Sequence, residues 1–412
     1  MEEKTAPHSI VERELTARSV FRDEGKLAID YVPPQLPHRE DELRILAGTF
    51  RSIIDSPGRT SPRVTIRGHM GTGKTVLSKR FGKDFERYAQ RKKLNFMYIH
   101  TNCREEGSFF NILKNIIIRN FEKDFPHRGY SSQELLGNFI KILDQRNIYT
   151  IIALDELEAL IRKEGANPLF SLTRLYENRP LDAPQRVGLI CIFREPECQD
   201  VFKLLDKSTL STLGHNTLVM ERYAPNQLKD ILTYRVQEAF KEDAVLPEAL
   251  ELTVDLANEH GDTRFAIELL WLAGKYADTA NSMKVLPEHV RASQMQTYPT
   301  LRAEDLKLLS RHERLLLLAI ARQLKSSDAA YAPIGEIERE YSATCEEFRD
   351  KPRAHTQVWK NIKALSVVGI ISTKISGKGQ RGTTTLVGLY VASERLEKQL
   401  LRMLEVGKSG GG

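Results

Sequence analysis

The segment Gly68-His69-Met70-Gly71-Thr72-Gly73-Lys74-Thr75 constrains this chain more than any other. It fits the pattern GxxxxGK[ST]. It follows a short apolar run, Val64–Ile66, and opens a stretch of helical period, Thr75–Arg91. A strand that turns through glycines straight into a helix gathers backbone N–H groups at the positive end of the helix dipole, and that arrangement binds phosphate. The same alternation recurs. Apolar runs at Phe96–His100, Ile151–Leu154, Val187–Phe193 and Leu218–Met220 are separated by helical segments such as Ser108–Phe121. Strands spaced by helices imply a parallel sheet covered on both faces. The fold class is therefore α/β, with a P-loop core of five strands that ends near Glu221.

Residue chemistry then fills in the site. Lys74 can reach the β- and γ-phosphates, and the Thr75 hydroxyl can hold magnesium. Ile151-Ile152-Ala153-Leu154-Asp155-Glu156 is a buried-strand run ending in two acids. Asp155 there can bind the metal through water, and Glu156 can activate the attacking water as general base. The expected nucleotide site comprises Gly68, His69, Met70, Gly71, Thr72, Gly73, Lys74, Thr75 and Val76. Thr75 and Asp155 are the expected metal residues, and Lys74, Asp155 and Glu156 the catalytic ones.

Beyond Pro225 the pattern becomes helical at Gln227–Lys241, Pro247–Glu259 and Thr263–Ala280, which predicts a small all-helical domain ending near Met295. Gln296–Thr300 reads as a joint. The last hundred residues read as helices, a Gly- and Thr-rich strand pair and a final helix over Ser393–Glu405. The expected boundaries are a flexible arm over 1–26, the core over 27–223, the helical lid over 224–299, a DNA-binding domain over 300–406 and a flexible tail over 407–412. A chain of 412 residues is long enough for these domains.

Charge is informative only in its distribution. The formal net charge is +6, but Lys351, Arg353, Lys360, Lys363, Lys374, Lys378 and Arg381 stand in one stretch that has no acid. That stretch carries +7 and leaves −1 for everything else. Within it, a helix over His355–Val368 turns Val358, Ile362 and Leu365 to a core. Thr356, Lys360 and Lys363 lie about 200° away, on the opposite face. Thr356, Gln357 and Lys360 are the expected base readers in a major groove. The Gly-rich tip Ser376–Gly382, with Lys378 and Arg381, suits phosphates or a minor groove, and Arg353 and Lys363 complete the basic surface. No apolar run is long enough to cross a membrane, and the N-terminus lacks a secretory signal. The four cysteines form no metal or disulfide spacing. These features predict a cytoplasmic, nucleoid-associated protein with no membrane partner.

The strand Phe96–His100, inserted between the two nucleotide motifs, resembles the additional strand of one class of P-loop ATPases. With Gly261-Asp262-Thr263-Arg264 in the lid, the chain resembles an AAA+ ATPase. More closely, it resembles the archaeal origin-recognition family, relatives of eukaryotic Orc and Cdc initiator proteins. That likeness spans about Leu27 to Leu400. It rests on Leu36-Pro37-His38-Arg39-Glu40, the phosphate loop, Leu154-Asp155-Glu156, Glu221-Arg222-Tyr223 with Gln227–Leu232, the Gly261–Arg264 box and a C-terminal winged helix. The resemblance implies ATP or ADP with magnesium, and Arg264 as a γ-phosphate sensor with a catalytic role. It places Pro37, His38 and Arg39 at the adenine, with Tyr223 among the nucleotide contacts. It also implies a DNA contact at the end of an inserted helix over Ser108–Tyr130, at Arg128 and Gly129. Its expected function is a DNA replication initiator on double-stranded origin DNA, with other initiator paralogues and the replicative helicase as further partners. A winged-helix regulator with a structurally held nucleotide shares the same motifs. Two departures predict slow hydrolysis. Cys191-Ile192-Phe193-Arg194 places Phe193 or Arg194 where such initiators carry a sensor Asn, and Asp206–Ser211 has no arginine to serve as a trans-acting finger.

Overall fold

The computed structural model describes every residue except 1–8, 10, 13–17, 124, 126–128, 178, 181, 215, 298–302, 377–383 and 407–412. Two compact units emerge. One holds residues 30–227 and 261–263; the other holds 1–29, 228–260 and 264–412.

The first unit is the expected α/β sandwich. It runs α1 Glu40–Phe50, β1 Arg63–Gly68, α2 Lys74–Arg91, β2 Phe96–Asn102, α3 Cys103–Glu106, α4 Phe109–Asn120, α5 Ser132–Gln145, β3 Tyr149–Asp155, α6 Leu157–Glu164, β4 Val187–Arg194 and β5 Thr217–Met220. The five strands are parallel in the order β2-β3-β4-β1-β5. All seven residues of β3 are buried, as a strand covered on both faces requires. The two-residue period sends alternate side chains to opposite layers. Ile151, Ala153, Ile190 and Ile192 meet Leu46, Phe50, Leu77, Phe81 and Phe85 on one side. Ile152, Leu154, Leu189 and Phe193 meet α4 and α5 on the other. Because the strands are parallel, their last residues share one edge of the sheet. Gly68 is in register with Arg194, and Asn102 with Asp155.

The inserted segment expected over Ser108–Tyr130 is helical only to Asn120. Phe121 leaves the helical region at φ −129°, and Arg146 donates to its carbonyl at 3.3 Å. A new helix, α5, then starts from a capping box formed by Ser131 and Glu134.

The second unit begins with α7 Pro225–Ala239, α8 Pro247–His260, α9 Thr263–Thr279 and α10 Pro287–Thr297, whose terminal residues straddle the division between the units. It continues with a winged helix: α11 Arg311–Ser327, β6 Ala332–Pro333, α12 Ile334–Glu347, α13 His355–Val367, β7 Ile371–Ile375, β8 Thr385–Leu389 and α14 Ser393–Val406. Its three strands are antiparallel in the order β6-β8-β7. Val358, Ile362 and Leu365 of α13 enter its core with Leu315–Leu318, Tyr341 and Leu400. The expected joint Gln296–Thr300 is helical as far as Thr297 and otherwise lies outside the described residues, as does the tail.

The expected flexible arm stops well short of residue 26. Val20 and Lys241 pair their backbones, and Arg22 N donates to Ala239 O at 2.8 Å. The Phe21 ring lies 4.7 Å from that of Phe240, over Gly274, where a Cβ would come within 2.2 Å of it. Trp271 Nε1 donates to Glu24 at 2.7 Å. Phe21→Ala should therefore destabilise this unit by about 3 kcal/mol. Urea titration followed by Trp271 fluorescence, in a Trp359→Phe background, checks this; an unshifted midpoint would mean that the segment adds no stability.

Candidate functional site

The phosphate loop links β1 to α2. Gly71 and Gly73 have φ of 77° and 88°, which favour glycine. At Gly71 a Cβ would also come within 2.1 Å of Asp262 Oδ1. No side chain caps the N-terminus of α2, so its first-turn N–H groups remain directed at the loop. Lys74 Nζ donates to Gly68 O and His69 O, both at 2.6 Å, and Thr72 Oγ1 donates to His69 O at 2.9 Å. His69, Met70 and Val76 belong to the same loop and first helical turn, with Met70 half exposed.

Asp155 ends β3 almost fully buried, at 5% exposure. Its Oδ2 accepts from Thr75 Oγ1 at 2.6 Å and lies 3.2 Å from His100 Nε2; its Oδ1 accepts from Glu156 N at 2.9 Å. Burial pushes this carboxyl up, but the bonds from His100 and Thr75 outweigh burial and hold it below the ordinary aspartate value. An ionised carboxylate beside a threonine hydroxyl, facing a glycine cradle at a helix N-terminus, fits a magnesium–nucleotide pair.

Glu156 follows in the left-handed region, at φ 51°. Its carboxylate is gripped from two sides: Arg104 Nε lies 2.9 Å from Oε2 and Arg194 Nη2 lies 2.5 Å from Oε1. Arg194 ends β4, which separates β3 from β1. Its backbone N–H donates to Glu158 Oε2 at 3.3 Å, and burial pushes the Glu158 carboxyl up. Arg104 stands in α3, where the Asn102 side chain caps the backbone N–H groups of Arg104 and Glu105.

Arg39 is 7% exposed and spends its guanidinium inside the protein. It donates to Thr72 O at 3.1 Å, Glu221 O at 2.9 Å, Tyr223 Oη at 2.8 Å and Glu42 at 2.7 Å, and it stacks 4.0 Å from the centroid of the Tyr223 ring. It thus ties the Pro37-His38 segment to the loop and to the exit of β5. Burial pushes the Tyr223 phenol up. Arg264, in the first turn of α9, is exposed and belongs to the other unit.

In the winged helix, Arg353, Thr356, Gln357, Lys360 and Lys363 are all exposed, on or beside one face of α13. Lys363 Nζ lies 5.3 Å from the centroid of the Trp359 ring, and Gln357 donates to Asn361 at 3.2 Å. Lys374 departs from the expected basic surface. It ion-pairs with Glu251 at 2.7 Å and Asp255 at 3.0 Å on α8, and it lies 3.7 Å from the centroid of the Tyr331 ring. Lys378, Arg381 and Arg128 lie outside the described residues. Gly129 is exposed, beyond the end of α4.

Two family models match: the Cdc6 AAA+ ATPase-type lid domain over residues 229–295, and the CDC6 C-terminal winged helix domain over 304–399. ORC1-type DNA replication protein 2 of Sulfurisphaera tokodaii is 35% identical over 398 residues, covering 94% of each chain. The crystal structure of Cdc6p from Pyrobaculum aerophilum aligns with a TM-score of 0.78 at 27% identity, over 94% of this chain and 100% of that one. The Aeropyrum pernix ORC1 protein, solved in complex with DNA, aligns at 0.60 and 27% identity, over 94% and 98%.

The chain belongs to the archaeal ORC1-type DNA replication protein family.

The resemblance drawn from the order of its motifs is borne out, as is the AAA+ fold with its lid and winged helix. In this ORC1-type protein the residues that sequence reasoning missed are His100, which shares the Asp155 carboxylate, and Arg104, which holds Glu156. Arg104 carried no motif signal, whereas a histidine on the inserted strand next to an acid-ended strand could have been suspected. Arg39, expected at the adenine, is a hub of the ORC1-type core, and a point charge cannot replace a guanidinium that serves four acceptors. Arg39→Lys should lower the melting temperature of the nucleotide-free protein about as much as Arg39→Ala. Calorimetry checks this; full rescue by lysine would show that charge alone suffices.

Proposed function

We propose that this chain is a replication initiator that binds origin duplex DNA in a nucleotide-dependent state and uses slow ATP hydrolysis as a switch. The observation that carries this reading is the union, in one chain, of a phosphate loop bonded to a metal-type aspartate and a winged helix with an exposed, acid-free recognition face. The names of its relatives, and the DNA in the Aeropyrum pernix ORC1 complex, support the same reading.

Bound magnesium–ATP supplies the γ-phosphoryl group that water attacks. Lys74 exchanges the carbonyls of Gly68 and His69 for phosphate oxygens. Thr75 and Asp155 hold the metal. Pro37, His38 and Tyr223 flank the base, and Arg264 reports the γ-phosphate to the lid. Glu156 takes the proton from the attacking water. Both of its oxygens are occupied by Arg104 and Arg194, which favours slow turnover. The recognition face of α13 enters the major groove of origin DNA, where Thr356, Gln357 and Lys360 read bases and Arg353 and Lys363 hold phosphates. Other initiator paralogues and the replicative helicase are the partners that such a DNA-bound state serves.

Chromatin immunoprecipitation mapped against newly replicated DNA tests the reading. Enrichment at replication start sites is expected, and enrichment at promoters alone would replace the initiator with a regulator. In the purified protein, Lys74→Ala should abolish nucleotide binding and Glu156→Gln should stop turnover while sparing binding. Arg194→Asn should raise kcat about ten-fold, with KM within about two-fold, by freeing the base. Single-turnover hydrolysis measures this, and a fall in kcat would make Arg194 a participant in catalysis. Lys363→Ala should flatten the salt dependence of duplex affinity by about one unit, whereas Lys374→Ala leaves it unchanged, since that charge is spent on α8. An equal loss from both variants in anisotropy titrations would overturn the assignment of the α13 face.

A further inference from the structure

A second concentration of positive charge lies on and just after α2, in the unit that does not hold the winged helix. Lys79, Arg80, Lys83, Arg87, Arg91, Lys92 and Lys93 fall within fifteen residues that hold only two acids, Asp84 and Glu86. Both acids are already engaged. Asp84 takes Arg80 and Arg87, and Glu86 accepts the backbone N–H of Tyr98 at 2.6 Å. The buried side of this helix is Leu77, Ser78, Phe81, Gly82, Phe85 and Ala89. Lys79, Lys83, Arg87 and Arg91 follow one another at intervals of four on the side turned away from it, and the last three are exposed. Tyr88, 42% exposed, stands beside the row, with Arg91 at 5.4 Å and Lys92 at 5.6 Å from its ring centroid. Among the described residues, none of Lys79, Lys83, Arg91, Lys92 and Lys93 forms an ion pair with a carboxylate.

Stability does not explain this pattern. Like charges four residues apart on a helix repel, at a cost of a few tenths of a kcal/mol per pair. The helix dipole favours cations only in the last turn, which accounts for Arg91, Lys92 and Lys93 but not for Lys79 or Lys83. A locally unfavourable pattern without structural return marks a surface kept for a partner. Its charge complement is a polyanion. The row extends about 18 Å at 1.5 Å per residue, and over that length one strand of a duplex presents about five phosphates. Exposed cations flanking an aromatic ring suit a phosphate backbone more than base edges.

We propose that this row on α2 of the ATPase core is a further, sequence-independent contact for the phosphate backbone of duplex DNA, distinct both from the winged helix and from the core contact expected at Arg128 and Gly129. The inference rests on the reading that the chain binds duplex DNA. The test uses the full chain, a 60-base-pair duplex and fluorescence anisotropy across a series of KCl concentrations. The triple variant Lys79→Gln, Lys83→Gln, Arg91→Gln should flatten the plot of log K against log salt by about two to three units on duplexes of any sequence. Its melting temperature should stay level or rise as repulsion is removed, and nucleotide binding should be unaltered. The arginine variant Lys79→Arg, Lys83→Arg should keep the parent slope, which separates charge from folding. A folded triple variant with the parent slope would overturn the proposal and leave the row to an acidic protein. Lys360→Gln with Lys363→Gln serves as the parallel arm. Loss there and not on α2 sinks this inference alone, whereas loss in neither sinks the DNA-binding reading as well.

Discussion

A carboxylate buried at the end of a strand is costly unless its lone pairs are met, and the arrangement around Asp155 is the solution this fold adopts. One oxygen faces Thr75 and His100; the other takes the N–H of Glu156. Those partners come from the helix after the phosphate loop, from the neighbouring strand and from the chain's own next residue. The bonds therefore fix the loop against β3 and β3 against β2, and they hold the carboxyl ionised. Parallel pairing makes this possible, because it brings Gly68, Asn102, Asp155 and Arg194 to one edge without any of them being near in sequence. The position of β4 between β1 and β3 then sets Arg194 beside Glu156.

Two guanidinium groups divide the labour around this edge. Arg39 is buried, and its bonds end on backbone carbonyls, Tyr223 and Glu42, so it fixes the shape of the loop. Arg194 is partly exposed, and its side chain ends on Glu156 and, at 3.9 Å, Glu197. Its bonds are the kind that can break without dismantling the core, because no backbone group depends on that side chain. The Arg104 grip belongs to the same class, since that side chain is about half exposed.

The local parts of this picture were legible in the sequence. Each of the five core strands was signalled by an apolar run, and the loop by its glycines and Lys74-Thr75, because both depend on neighbours in the chain, whereas the two-residue β6 is too short to leave such a run. Arg104 and Arg194 reach Glu156 across 52 and 38 positions, so their meeting depends on sheet order, which no motif spells out. Val20 and Phe21 were hidden for a different reason. Two apolar side chains among polar ones read as the end of an arm, yet a groove over Gly274 is enough to seat Phe21. The inserted helix was overextended because its apolar face continues to Phe121 and Phe125, while the backbone breaks at Phe121 and those rings still pack on the core.

Charge counting misled in an instructive way. Summed along the chain, Lys351–Gly382 is the basic segment, and Lys374 is part of it. In space, Glu251, Asp255 and Glu259 form a stripe four residues apart on α8 and receive Lys374, the Tyr331 hydroxyl and the Tyr390 hydroxyl. Burial, with the adjoining carboxylates, pushes both phenols up, so they stay neutral donors to the stripe. Arg291, fully buried in α10, adds bonds to the carbonyls of Ala329 and Ala330, just before β6. The root of the wing is thereby held to the lid helices by ionic and hydrogen bonds. A charge that serves this joint is not available to a phosphate, whereas Lys360 and Lys363 of α13 stay exposed. The lid and the recognition helix consequently share one scaffold, and a tilt of α8 that kept these bonds would carry the wing with it.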